Sequence, residues 1–91
     1  MFKTLEELIA VIRQRKESFS EKSYTCKLLK NKKLSVEKIK EEISELIDAT
    51  EKNTNKVHEA ADVLYHLMVL LEANDIKIED VMDELKKRKK Y

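Results

Sequence analysis

The sequence predicts an all-α fold, an antiparallel bundle of about five helices. Three observations carry this expectation. The 91 residues include no glycine and no proline, and small strand-rich folds need turn residues that accept positive φ. Apolar residues recur at the three- and four-residue spacing of a helix face in one segment after another. Polar clusters separate those segments, and Asn and Asp are left to make the turns. Residues 1–91 are expected to form one domain, small enough that a lone chain buries a limited share of its surface.

The elements follow in order. Thr4-Leu5-Glu6-Glu7 has the form of a capping box. It predicts a first helix to about Glu17, with Leu5, Leu8, Ile9 and Ile12 as its apolar stripe. Ser20 is the expected cap of a second helix running to about Asn31, and Asn31-Lys32-Lys33 reads as a turn. Ser35 is the expected cap of a third helix, from Val36 to about Glu51, with Val36, Ile39, Ile43, Leu46 and Ile47 as its stripe. Polar residues 51–55 make the next turn.

The fourth helix, about Lys56 to Ala73, holds the longest apolar run of the chain. Eleven of the fifteen residues from Val57 to Leu71 are apolar or aromatic, and only Glu59 and Asp62 carry a formal charge. Val57, Ala60, Ala61, Leu64, Leu67, Met68 and Leu71 are its expected core stripe. Glu59, Asp62 and His66 fall on another side, flanked by Val63 and Leu70. Both sides then need cover, which predicts a partner chain. Asn74-Asp75 turns into a last helix, about Ile78 to Lys89, expected to bury Ile78, Val81, Met82 and Leu85.

The totals exclude some classes. Nineteen basic and 18 acidic residues leave a net charge of +1, which argues against nucleic-acid or membrane binding driven by bulk charge. The single cysteine, Cys26, forms no internal disulfide and fits a reducing cytoplasm. Charge appears by Lys3, so no signal peptide is expected, and the Val57–Leu71 run is too short and too acidic for a membrane span.

Two pairs of acids carry the chemistry. Glu42 and Glu45 are three residues apart on the third helix, and Glu59 and Asp62 are three apart on the fourth. At about 100° per residue, Lys38, Glu42, Glu45 and Ala49 share a band of roughly 60° beside the apolar stripe. Glu45 lies about eight residues before Asn53 and Glu59 about six after it. In an antiparallel pair the four carboxylates therefore reach similar heights and face each other. Four hard oxygen donors suit Mg²⁺ or Mn²⁺. Acids in an apolar helix are seldom buried unless paired; a buried salt bridge such as Glu59 with Lys38 is the bland alternative.

Glu41-Glu42-x-x-Glu45, 13 residues, then Glu59-x-x-Asp62 resembles the signature of the all-α nucleoside triphosphate pyrophosphohydrolases, the MazG-like superfamily. Ser23-Tyr24-Thr25-Cys26-Lys27-Leu28 and Glu59-Ala60-Ala61-Asp62-Val63-Leu64-Tyr65-His66 narrow the resemblance to the phosphoribosyl-ATP pyrophosphatase family of histidine biosynthesis. It spans about residues 5–88. Lys40, Asn31-Lys32-Lys33 and Lys77 depart from the small residues usual at those places in that family.

The resemblance implies a Mg²⁺-dependent homodimer that hydrolyses phosphoribosyl-ATP to phosphoribosyl-AMP and pyrophosphate. It implies Glu42, Glu45, Glu59 and Asp62 as metal ligands. Lys38, Lys27 and Arg15 match its basic residues, and would take phosphate charge. Metal ions bridging phosphate oxygens activate water for in-line attack, and Glu42 or Glu45 would orient that water. Glu41 and His66 could hydrogen-bond to the ligands, but His66 reads first as a satisfied core histidine at a dimer interface. Two other functions use the same residues: a pyrophosphohydrolase for dCTP- or dUTP-like nucleotides, and a non-enzymatic helical dimerisation module whose acids form interchain salt bridges.

Overall fold

The computed structural model describes residues 1–91 as five α-helices. They are α1 (Lys3–Glu17), α2 (Tyr24–Lys30), α3 (Lys32–Lys52), α4 (Lys56–Ala73) and α5 (Ile78–Lys87). No residue is in a strand. The all-α expectation holds, and no helix is long and apolar enough to cross a membrane.

The helix starts differ from the sequence reading in three places. Thr4 lies inside α1, whose cap is Phe2 with no side-chain bond, so the capping box does not form. Ser23, not Ser20, caps α2 by accepting the Cys26 amide. Asn31 alone joins α2 to α3: it ends the first helix and accepts the Leu34 amide to start the second. Ser35 is thereby drawn into α3 and buried instead of capping it. The turns fall where no glycine was needed. Asn53, Asn55 and Asp75 take left-handed φ of 56°, 47° and 57°, the conformation that Asn and Asp tolerate best after glycine.

α4 is the central helix, with α1, α2 and α3 all packed against it. Ile12, Leu28, Met68 and Val69 form the buried core, with Leu5, Leu8, Ile9, Leu29, Leu34, Tyr65, Leu71 and Ile78 around it. Arg13 meets Glu72 and Lys16 meets Asp75, so α1 runs in the same direction as α4. α3 and α4 form an antiparallel hairpin closed by Asn53–Asn55.

The side of α4 that faces this core is turned from the one expected: of the expected stripe only Met68 and Leu71 reach the core. His66, Met68, Val69 and Ala73 are buried. Val57, Ala60, Ala61, Leu64 and Leu67 are exposed, Val57 to 86%. A helix apolar on both sides gives no directional signal, and α2 settled the matter by packing on the Tyr65–His66 side. Val36, Ile43 and Ile47 of α3 are also exposed. α5 buries none of its residues; it ends at Lys87, and Met82 and Leu85 remain open to solvent.

Only ten residues of 91 are buried. The radius of gyration is 14.2 Å, against about 12 Å for a compact chain of this length. The chain is elongated, with extents of 38 × 32 × 25 Å. Phe2, Leu5, Ile9, Leu64, Leu67 and Leu71 of α1 and α4, with Ile78, Val81, Met82 and Leu85 of α5, line a groove of about 810 Å³. A guanidinium fork fastens α5 beside it: Arg13 Nη1 and Nη2 donate to Glu79 at 2.9 and 2.6 Å, and its Nε donates to Glu72 at 3.2 Å.

Candidate metal centre

The hairpin brings the four acids together at its closed end. Carboxylate oxygens of Glu42, Glu45 and Glu59 lie within 4.8 Å of one another. Asp62 joins through Glu59, since His58, Glu59 and Asp62 also place donor atoms within 4.8 Å. Glu42, Glu59 and Asp62 are half-buried, and Glu45 is exposed at the mouth. Thr54 and Asn55 from the turn, with Asp48 and Lys52, complete a shallow depression over Glu45 and Glu59.

The cluster lacks an internal cation. Lys38 turns to Glu41 at 3.4 Å, and no ion pair with Glu59 forms. One oxygen each of Glu42 and Glu59 is buried without any hydrogen-bond partner. Burial pushes the Glu42 carboxyl above the ordinary glutamate range, and the charges of Glu45 and Asp62 push it further. Burial and the facing Glu45 do the same to Glu59. Orphaned buried carboxylate oxygens are costly. A hard divalent cation resolves both problems, since it accepts oxygen donors and neutralises the repulsion. The residues present therefore fit a metal.

The remaining sequence candidates fall at different distances from this cluster. His66 is 6% exposed, and both of its ring nitrogens are engaged. Nδ1 sits 2.8 Å from the main-chain oxygen of Asp62, which fixes the proton on Nδ1 because a carbonyl only accepts. Nε2 then accepts from the Tyr24 hydroxyl at 3.0 Å. The contact with Asp62 is through its backbone and not its carboxylate. α2 of the same chain covers His66, so no second copy is needed for that.

Tyr24 lies near enough to Lys38, Glu42 and Glu41 to feel their charge, while burial raises its phenol above the usual range. Tyr24 stacks on Tyr65 with ring centroids 6.4 Å apart, and Thr25 hydrogen-bonds the Tyr65 hydroxyl. Glu41 is exposed and engaged with Lys38. Lys27 is exposed on α2, one turn beyond Tyr24. Arg15 lies near the end of α1 between Arg13 and Lys16, which pair with Glu72 late in α4 and with Asp75 just after it. That is ten or more residues past Asp62, or roughly 15 Å along the helix.

The sequence reading missed His58. It lies one turn before Asp62, with Nε2 3.3 Å from Asp62 Oδ2. The four-residue spacing was the available signal.

The sequence matches the phosphoribosyl-ATP pyrophosphohydrolase family over residues 5–89. The chain belongs to this family. Among similar proteins, a histidine biosynthesis bifunctional protein HisIE of Pyrococcus furiosus is 46% identical over 87 residues. That stretch is 94% of this chain but 41% of the longer relative. The phosphoribosyl-ATP pyrophosphatase of Clostridium novyi is 44% identical over 90 residues, covering 94% of this chain and 81% of that one. The phosphoribosyl-ATP pyrophosphatase of Haloarcula marismortui is 41% identical over 90 residues, with 93% and 92% covered. The family match reaches from Leu5 in α1 through α5, so it includes both acid pairs and the Tyr24–His66 contact.

Proposed function

We propose that this chain hydrolyses phosphoribosyl-ATP to phosphoribosyl-AMP and pyrophosphate, a step of histidine biosynthesis, with a divalent cation held by Glu42, Glu45, Glu59 and Asp62. Family membership supports the hydrolase and its substrate. The observation that carries the site is the convergence of carboxylates from α3 and α4 with two buried oxygens left unpartnered. Mg²⁺ is the natural occupant, with Mn²⁺ the alternative, because all four ligands are hard oxygens.

A bound divalent cation supplies charge neutralisation to the phosphate oxygens and Lewis acidity at the phosphorus. The protein groups do the rest. Glu45, the open member of the cluster, or Glu42 beside it would orient the attacking water and accept its proton. Water oxygen bonds to the α- or β-phosphorus and the P–O bond of the α–β anhydride breaks, so pyrophosphate leaves on attack at α and phosphoribosyl-AMP leaves on attack at β. Lys38 and Lys27 line the approach from α3 and α2 and balance phosphate charge. Arg15 lies farther along α4, and its part in taking phosphate charge rests on the resemblance alone.

The uncovered faces of α4 and α5 support a homodimer. Leu64, Leu67, Met82 and Leu85 are too large and too contiguous to stay in water. Residues 1–91 then act as one catalytic unit of that dimer. The unpaired Cys26 supports a reducing compartment, the cytoplasm.

The test is pyrophosphate release from phosphoribosyl-ATP with and without Mg²⁺, with dCTP and dUTP as controls. Release from phosphoribosyl-ATP alone, lost on chelation, is expected. Release from the deoxynucleotides instead would reassign the substrate. If Glu59→Gln stays folded and hydrolyses at the wild-type rate, the four-carboxylate site is wrong and a purely structural role for the acids stands.

A further inference from the structure

His58 offers a donor that no role above uses. The chain has two histidines, and His66 is spent on Tyr24 and the Asp62 carbonyl. His58 is open to solvent, with its side chain 72% exposed, and its imidazole turns back toward Asp62. Around α4, at about 100° per residue, Asp62 falls between His58 and Glu59. One turn of helix therefore presents a nitrogen and two carboxylates on a single arc. Their donor atoms all lie within 4.8 Å of one another. Two ligands of one first-row ion stand no more than about 4.5 Å apart, twice a metal–ligand bond. The three groups reach a common ion with little more than a side-chain rotation.

Glu59 belongs to this group and also to the all-oxygen group with Glu42 and Glu45. One of its oxygens is buried and unpartnered, and so available to a shared ion. A nitrogen donor changes which ion is preferred. Mg²⁺ is a hard ion that keeps oxygen ligands and water, whereas Mn²⁺, which shares its liking for carboxylates, is the start of the first-row series and accepts an imidazole nitrogen more readily.

We propose that His58 is a nitrogen ligand to a divalent ion held jointly with Glu59 and Asp62, so that this position takes a transition ion such as Mn²⁺ in preference to Mg²⁺. The proposal rests on the metal reading of the carboxylate cluster. The bland alternative is a helical ion pair between His58 and Asp62 with no part in binding.

The experiment uses the full chain loaded with Mn²⁺ alone, read by electron spin-echo envelope modulation. The wild type is expected to show coupling to a directly bound imidazole ¹⁴N, and His58→Gln to lose it. By equilibrium dialysis, His58→Gln should bind Mn²⁺ about tenfold more weakly, with Mg²⁺ affinity changed less than twofold. Because His58 is exposed, the variant is expected to keep its helical circular dichroism. Mn²⁺ binding that Glu42→Gln abolishes, but that shows no imidazole coupling, would overturn the role of His58 and leave the carboxylate cluster standing. Coupling that persists in His58→Gln would also overturn it. Absence of any Mn²⁺ binding would overturn both readings.

Discussion

Tyr24 donates its hydroxyl to Nε2 of His66 at 3.0 Å, and this bond ties α2 to the helix that bears Glu59 and Asp62. The far side of the same ring is tied to the Asp62 carbonyl. Tyr24→Phe leaves the buried Nε2 without its donor. We expect a loss of about 1–2 kcal/mol in unfolding free energy, measured by urea denaturation of the two proteins side by side. Equal midpoints would show that water replaces the hydroxyl without cost.

The core predicts a larger effect. Leu28 is fully buried between α1 and α4. Leu28→Ala removes that packing and leaves a cavity, at a cost of about 3 kcal/mol. The same denaturation curves report it. A protein with so few buried residues has little reserve.

Cation binding should strengthen with pH. The Glu42 and Glu59 carboxyls are raised in the folded protein, by burial first and neighbouring carboxylates second. A raised acid is more protonated when folded than when unfolded, so without metal its contribution falls as pH climbs from the ordinary glutamate range through the raised value. Ligands must be deprotonated to bind. The increase in melting temperature given by Mg²⁺ is therefore expected to grow as pH rises from the ordinary glutamate range. A pH-independent increase would argue that Glu42 and Glu59 are not the ligands.

The Arg13 fork predicts the opposite dependence. Arg13 holds the Glu79 carboxyl down to about 2. A depressed acid contributes stability above its unfolded value of about 4.5, and loses it as pH falls toward 2. Glu79→Gln should be less stable than the wild type at neutral pH, and the gap should close below pH 4. Glu79 is largely exposed, so the gap will be small and will shrink in high salt.

The apolar groove predicts assembly. Leu67→Lys places a charge among Leu64, Leu71, Met82 and Leu85. Size-exclusion chromatography with light scattering should show the wild type at twice the 10.8 kDa chain mass and the variant at that mass. An unchanged elution would put the interface elsewhere.

Much of this was legible in the residues. The helices and their order follow from spacing, and Glu42, Glu45, Glu59 and Asp62 converge because the count from Asn53 is nearly equal on both arms. Three features were not. Asn31 serves two helices at once, so Ser35, a good cap by type, was left inside. The orientation of α4 was illegible because Val57, Leu64 and Leu67 are as apolar as Val63, Val69 and Leu70. Only the docking of α2 distinguishes the two sides, through Tyr24 and His66. Arg15 was chosen from resemblance alone, and nothing in its spacing reports which way α1 runs beside α4.

The hairpin of α3 and α4 has a kinetic consequence. Its acids come from positions 14 apart, Glu45 and Glu59, and 20 apart, Glu42 and Asp62. Contacts that local form early, because little chain entropy is lost in closing them. With no proline in the chain, no X–Pro isomerisation delays refolding by tens of seconds. On refolding, the α3–α4 hairpin that carries the four acids is therefore expected to close before α1 and α5 dock on it.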